Sequence, residues 1–227
     1  MEVASMERVG LIETEVAGQL WDYWEELRPA GDAMPARAAF LPQRVPESLP
    51  YTMLTEAQSA AWETVRLMGT AIDALMPTRD RTFDSASRID AALRGLYQGL
   101  CAVRAERPVV TLRKSRLLMN DGRRLGFEIL HLPLRAPAPG TTPVLACLAP
   151  YRAPPPGLRF DHGPDYERVD ALWLHGLDHP LGWSDLPAPM VAYLVDARVP
   201  VHFARVDTAV DPAAVPGRRG SALARSA

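Results

Sequence analysis

Two cysteines, five histidines and a group of arginines are the side chains of this 227-residue chain whose types and spacing could do chemistry beyond packing. His162, His175, His179 and His202 all follow residue 160, and His131 stands alone between Leu130 and Leu132. His175-Gly176-Leu177-Asp178-His179 has the i, i+4 spacing at which two imidazoles hold a metal from one helix face. Gly176 and Pro180 oppose a helix there, so a surface loop without metal is expected. A metal-assisted hydrolase built on these histidines and the neighbouring aspartates is the enzymatic alternative; the expectation is that the chain is not an enzyme.

Cys101 and Cys147 each sit in an apolar run, the setting of buried free thiols in a reducing compartment. Haem iron needs an axial His, Cys, Met or Tyr. The long helix predicted around Cys101 carries no histidine, and His131 reads as a half-buried strand residue. Flavin photochemistry needs a reactive cysteine in an Asn-Cys-Arg context, which neither cysteine has. No cofactor is therefore expected. P-loop, dinucleotide, nucleophile-elbow and kinase motifs are all missing from the sequence.

Arg113, Lys114, Arg116, Arg123 and Arg124 flank Asn120-Asp121-Gly122, a strong hairpin-turn signal. Such a cluster suits an acidic partner or a phosphate, or is simply a solvated hairpin tip. The formal net charge of −2 argues against a general nucleic-acid or anionic-membrane binder. A hydrophobic content of 48% fits a folded chain. No basic-then-apolar leader opens the sequence, and no uncharged apolar run reaches the ~18 residues of a membrane span, so a cytoplasmic protein is expected.

The elements that must position these residues are readable from periodicity. Residues 11–28 read as an amphipathic helix with Ile12, Val16, Leu20, Trp24 and Leu27 on one stripe, stopped by Pro29 and Gly31. That stripe either packs on a sheet or makes a dimer seam. A proline-marked connector over 32–48 leads to two strands near 51–56 and 62–68, then to short helical turns over 71–86. Ile89, Leu93, Leu96, Leu100 and Val103 mark a long helix over 87–105, with Ser87 and Asp90 as a capping arrangement. Three antiparallel strands follow, from Val109 to Met119, Arg123 to Leu134 and Val144 to Ala149. The grouping is α+β. After Pro154-Pro155-Pro156 come an apolar run (169–174), a loop (176–189), a helix or strand (190–195) and a short strand (201–206).

Tyr23-Trp24-Glu25-Glu26-Leu27-Arg28, Pro35-Ala36-Arg37, Pro42, Leu49-Pro50 and Val65-Arg66-Leu67-Met68-Gly69-Thr70 occur in that order. The series resembles a family of small, single-domain PAS-like sensor and adaptor proteins common in alphaproteobacteria, over about residues 16–150. The resemblance implies a five-stranded antiparallel sheet with helices on one face. It implies a regulatory role through contacts with signalling proteins such as histidine kinases, in motility, polarity or the cell cycle. Relatives have a glycine-acid-Thr-Gly segment where this chain has Pro77 to Thr82. A pocket between sheet and helices would be lined by Leu93, Leu96, Tyr97, Leu100, Cys101, Leu117, Phe127, Ile129 and His131; as core, the same residues would simply fill it. Partner-surface candidates are Trp24, Leu27, Arg113, Lys114, Arg116, Arg123 and Arg124, and a homodimer is one outcome. The expected organisation is a helix over 11–31, a PAS-like domain over 32–151, an extension of unknown fold over 158–210 and a disordered tail over 211–227.

Overall fold

A computed structural model describes residues 11–29, 34–59, 62–76, 82–83, 91–137, 142–161 and 167–203. The fold is α+β, as periodicity predicts. Helix α1 (Glu15–Glu26) begins at Thr14, whose hydroxyl accepts from the amide of Ala17. Strands β1 (Thr52–Ser59) and β2 (Trp62–Met68) follow, then α2 (Thr70–Leu75), β3 (Thr82–Phe83) and α3 (Ala91–Glu106). Next come β4 (Val109–Leu118), β5 (Arg124–Pro133), β6 (Thr142–Pro150), β7 (Glu167–Gly176), α4 (Ala188–Asp196) and β8 (Val201–Phe203). The predicted capping pair Ser87 and Asp90, Ile89 and the tail over 211–227 lie outside the described residues.

The strands form one sheet in the order β3-β2-β1-β6-β5-β4-β7-β8. Every neighbouring pair is antiparallel except β7 and β8, which run parallel. This corrects the expectation of five strands. Beyond β1, β2, β4, β5 and β6, the segment after residue 150 supplies β7 and β8, and Thr82–Phe83 adds an edge at β2. The apolar run 169–174 is thus a strand of the same sheet.

Helices also occupy both faces, where one was expected. On the face called inner here, α2, α3 and α4 bury Ile72, Leu96, Leu100, Met190 and Leu194 with Leu117, Phe127, Ile129 and Leu172. On the outer face α1 buries Leu20 and Trp24 with Leu54, Leu112, Leu130, Leu132 and Leu145. The reason is visible in β5, where every residue from Phe127 to Pro133 is buried. A strand buried on both sides needs cover on both sides. The stripe of α1 therefore packs on its own sheet.

Two anchors fix α1. Trp24 Nε1 donates to the carbonyl of Pro133 at 2.9 Å. At the other end, the buried Glu128 carboxylate accepts from the amides of Glu13 and Thr14, both at 2.8 Å, and from the Thr14 hydroxyl at 2.7 Å. A carboxylate at a helix N-terminus satisfies orphan amides and favours the helix dipole.

Candidate functional site

Strand β4 alternates, and the alternation decides what each of its side chains can do. Val109 and Leu117 belong to the inner core and Val110 and Leu112 to the outer one. Thr111, Arg113 and Ser115 therefore share the inner face under α3, and Lys114 and Arg116 the outer. Tyr97, Cys101 and Arg104 come from α3 above, three to four residues apart on one helix face. His131 comes from β5, opposite Thr111 in the ladder, and Glu167 from the start of β7. The result is a lane of polar groups inside an otherwise apolar layer.

Its geometry is specific. Arg113 Nε lies 2.8 Å from Glu167 Oε1, with both side chains almost wholly buried. Ser115 Oγ donates to the same oxygen at 2.6 Å, and the Tyr97 hydroxyl donates to Glu167 Oε2. Arg113 Nη2 donates to the Tyr97 oxygen at 3.1 Å, and its guanidinium stacks over the Tyr97 ring at 4.8 Å. His131 Nδ1 shares a hydrogen bond with the Thr111 hydroxyl at 3.1 Å. Burial, then the positive charges of Arg104 and Arg113, hold the His131 pKa well below its ordinary 6.5. His131 is thus a neutral hydrogen-bonding group. Arg104, also buried, donates to the Cys101 sulfur at 3.4 Å. On β1, the buried Thr55 Oγ1 has no hydrogen-bond partner among the described residues.

All nine predicted pocket residues lie on this inner side. Leu93, Leu96, Leu100, Leu117, Phe127 and Ile129 belong to the inner core, with Tyr97 packed against it; Cys101 and His131 are buried beside them. Sequence reasoning missed Arg104, Thr111, Ser115 and Glu167. A period-two reading of Thr111, Arg113 and Ser115 between Val109 and Leu117 would have put three polar groups on the core face.

The partner-surface candidates do not form one patch. Trp24 and Arg113 are buried, so neither presents a surface. Arg113 lost its expected exposure because alternation along β4 turns it to the inner face, against Tyr97 of α3 and Glu167 of β7. Leu27 packs against the outer core. Lys114 pairs with Glu13 and lies over the Trp173 ring at 5.3 Å. Arg116 makes two contacts with Asp170, at 2.6 and 2.8 Å, and Arg123 pairs with Asp121 at 2.6 Å. Arg123 and Arg124 are exposed. The turn itself is as predicted, with Gly122 at φ +82°. Its flank is covered, because Asn120 and Arg159 bond to one another through both their amides.

The histidine pair is not on a helix: His175 lies in β7 and His179 in the turn after it. Both nitrogens of His179 are engaged, Nδ1 with Asp178 at 2.6 Å and Nε2 with Arg107 at 2.6 Å. His202 stacks on Trp173 at 5.0 Å. His162 lies outside the described residues. No cluster of three metal-ligating side chains occurs among the described residues. Burial raises the Cys147 thiol pKa far above its ordinary value, with the Glu128 charge adding to it, so this thiol is not a nucleophile. Among the described residues, no helix is long and apolar enough to cross a membrane.

Residues 13–149 match the model of a family described as PAS domain. No curated protein matches the chain, and no solved structure does.

Proposed function

This chain belongs to the PAS domain family, and from that membership we propose that it is a cytoplasmic signal-transduction regulator or adaptor without catalysis of its own, acting by contact with other signalling proteins. The observation that carries this is the family match across residues 13–149, a family whose domains sense or regulate. The alphaproteobacterial type of the signature favours histidine kinases as partners, in motility, polarity or cell-cycle control. The exposed Arg123 and Arg124 at the hairpin are the contact we favour, since a local positive field speeds encounter with an acidic partner. A ligand on the inner face would bias output only as far as it binds two states differently.

A second reading, a ligand-free scaffold, is favoured by one observation. Leu96, Leu100 and Phe127, offered as pocket lining, are each at most 1% exposed and pack as core. The hydrolase alternative has no such support, since both nitrogens of His179 are already engaged.

The test uses purified histidine kinases of the native host, each assayed for autophosphorylation with and without the protein. At least one is expected to change its rate, less so at high salt, and not with the Arg123→Glu/Arg124→Glu variant. No change with any kinase removes these partners from the proposal. An effect that survives the charge reversal moves the contact elsewhere.

A further inference from the structure

The stretch matched to the family ends at residue 149, yet β4 is not a free edge, because β7 pairs with it from Val109 to Leu117. The segment beyond the family stretch is also seated on α3. A Cβ on Gly95 would lie 2.8 Å from the carbonyl oxygen of Pro189, and one on Gly99 2.4 Å from the Met190 Cβ. The polar key of this docking is Glu167. Two hydroxyl donors, Ser115 and Tyr97, and the charge of the Arg113 guanidinium converge on its two oxygens. A guanidinium with neutral hydroxyl donors around it is the chemistry that recognises a carboxylate. A strand held for stability alone docks as well through apolar side chains of similar volume. A carboxylate key, by contrast, is replaceable by another carboxylate.

We propose that Tyr97, Arg113 and Ser115 form a carboxylate-binding site of the PAS domain, filled in cis by Glu167, which keys the start of β7 to it. The inference concerns residues beyond the family stretch and stands independently of which signalling partner is found.

The experiment is chemical rescue. Glu167→Ala leaves the two hydroxyls and the guanidinium facing a vacated carboxylate position. Sodium formate, against sodium chloride at equal ionic strength, is expected to raise the Tm of this variant saturably, by about 2–4 °C. The wild-type chain and Glu167→Ala/Arg113→Met are expected to show no such difference. Equal shifts in all three proteins, or none in Glu167→Ala, overturn the carboxylate site. Should Glu167→Ala not fold, Glu167→Gln is followed by hydrogen exchange. The site requires faster exchange at the start of β7 while β1, β2 and β6 keep their protection. Faster exchange everywhere, or unchanged exchange in β7, overturns it.

Discussion

A Cβ placed on Gly69 would fall 2.3 Å from the carbonyl oxygen of Pro50 and 2.3 Å from that of Leu49. The Leu49-Pro50 and Gly69-Thr70 pieces of the signature are thus one packed joint. The amide of Gly69 also donates to the carbonyl of Thr52 at 2.8 Å, closing the end of the β1–β2 pair. Gly69 is needed for the absence of a side chain, since its backbone is ordinary extended chain. Backbone atoms cannot swing away as side-chain tips do, so Gly69→Ala must displace the joint. A loss of roughly 1–3 kcal/mol is expected, read as a lower urea midpoint with an unchanged slope. An unchanged midpoint would mean that the joint is looser than its atoms imply.

Trp24 supports a graded prediction. It is fully buried against β5 and donates to Pro133. Trp24→Phe keeps most of the ring contact but leaves a buried carbonyl unpaired, for about 1–3 kcal/mol. Trp24→Ala adds a cavity, for about 3–5 kcal/mol. Equilibrium unfolding of both variants checks the order. Equal losses would mean that the hydrogen bond carries all of the effect.

Local order was legible where one element carries its own signal. The stripe of Leu93, Leu96, Leu100 and Val103 gave α3, and Asn120-Asp121-Gly122 gave the turn between β4 and β5. What escaped was set by partners distant in sequence. Arg113 and Arg116 are the same residue type three positions apart, yet one meets Glu167 inside and the other Asp170 outside. Alternation along β4 puts them on opposite faces, but which acid each meets is set by the pairing of β4 with β7, and an apolar run at 169–174 does not say which edge it will join. The second covered face was written in Phe127 to Leu134, where Phe127 and Ile129 on one side and Leu130, Leu132 and Leu134 on the other are too many apolar residues for a one-sided strand. Gly95 and Gly99 likewise look like costs to α3 until α4 is seen resting on them.

His131 makes stability depend on pH with a definite sign. Its folded pKa lies well below 6.5 because of burial and the nearby arginines. Above that pH neither state takes up a proton at this residue. Below it the unfolded chain binds a proton that the folded chain refuses, so stability falls as pH falls, by at most about 1.4 kcal/mol per pH unit. The lowered carboxyls of Asp121 and Asp185 act only around and below 3.8, outside this window. Unfolding free energies measured between pH 7 and 5 should slope less steeply in His131→Gln than in the wild-type chain, whatever the absolute cost of the substitution. Identical slopes would place the residue in a wetter setting than its burial indicates.

Two glycines in helices should respond in opposite directions to the same change. Gly18 lies inside α1, and a Cβ there meets nothing within 4 Å. Glycine costs a helix interior about 0.5–1 kcal/mol relative to alanine through backbone entropy, so Gly18→Ala should raise stability by that amount. Gly99 lies inside α3, where the same propensity gain applies. Its Cβ, however, would sit 2.4 Å from the Met190 Cβ and 3.0 Å from its sulfur. The sulfur can move; the Met190 Cβ moves only with the backbone of α4. Overpacking of this kind costs about 1–3 kcal/mol, more than the propensity returns, so Gly99→Ala should lower the thermal midpoint. It should do so by loosening α4, with hydrogen exchange quickening in residues 188–196 before β1 and β2 respond. If both alanines stabilise, α4 is not seated on α3 as closely as these distances require.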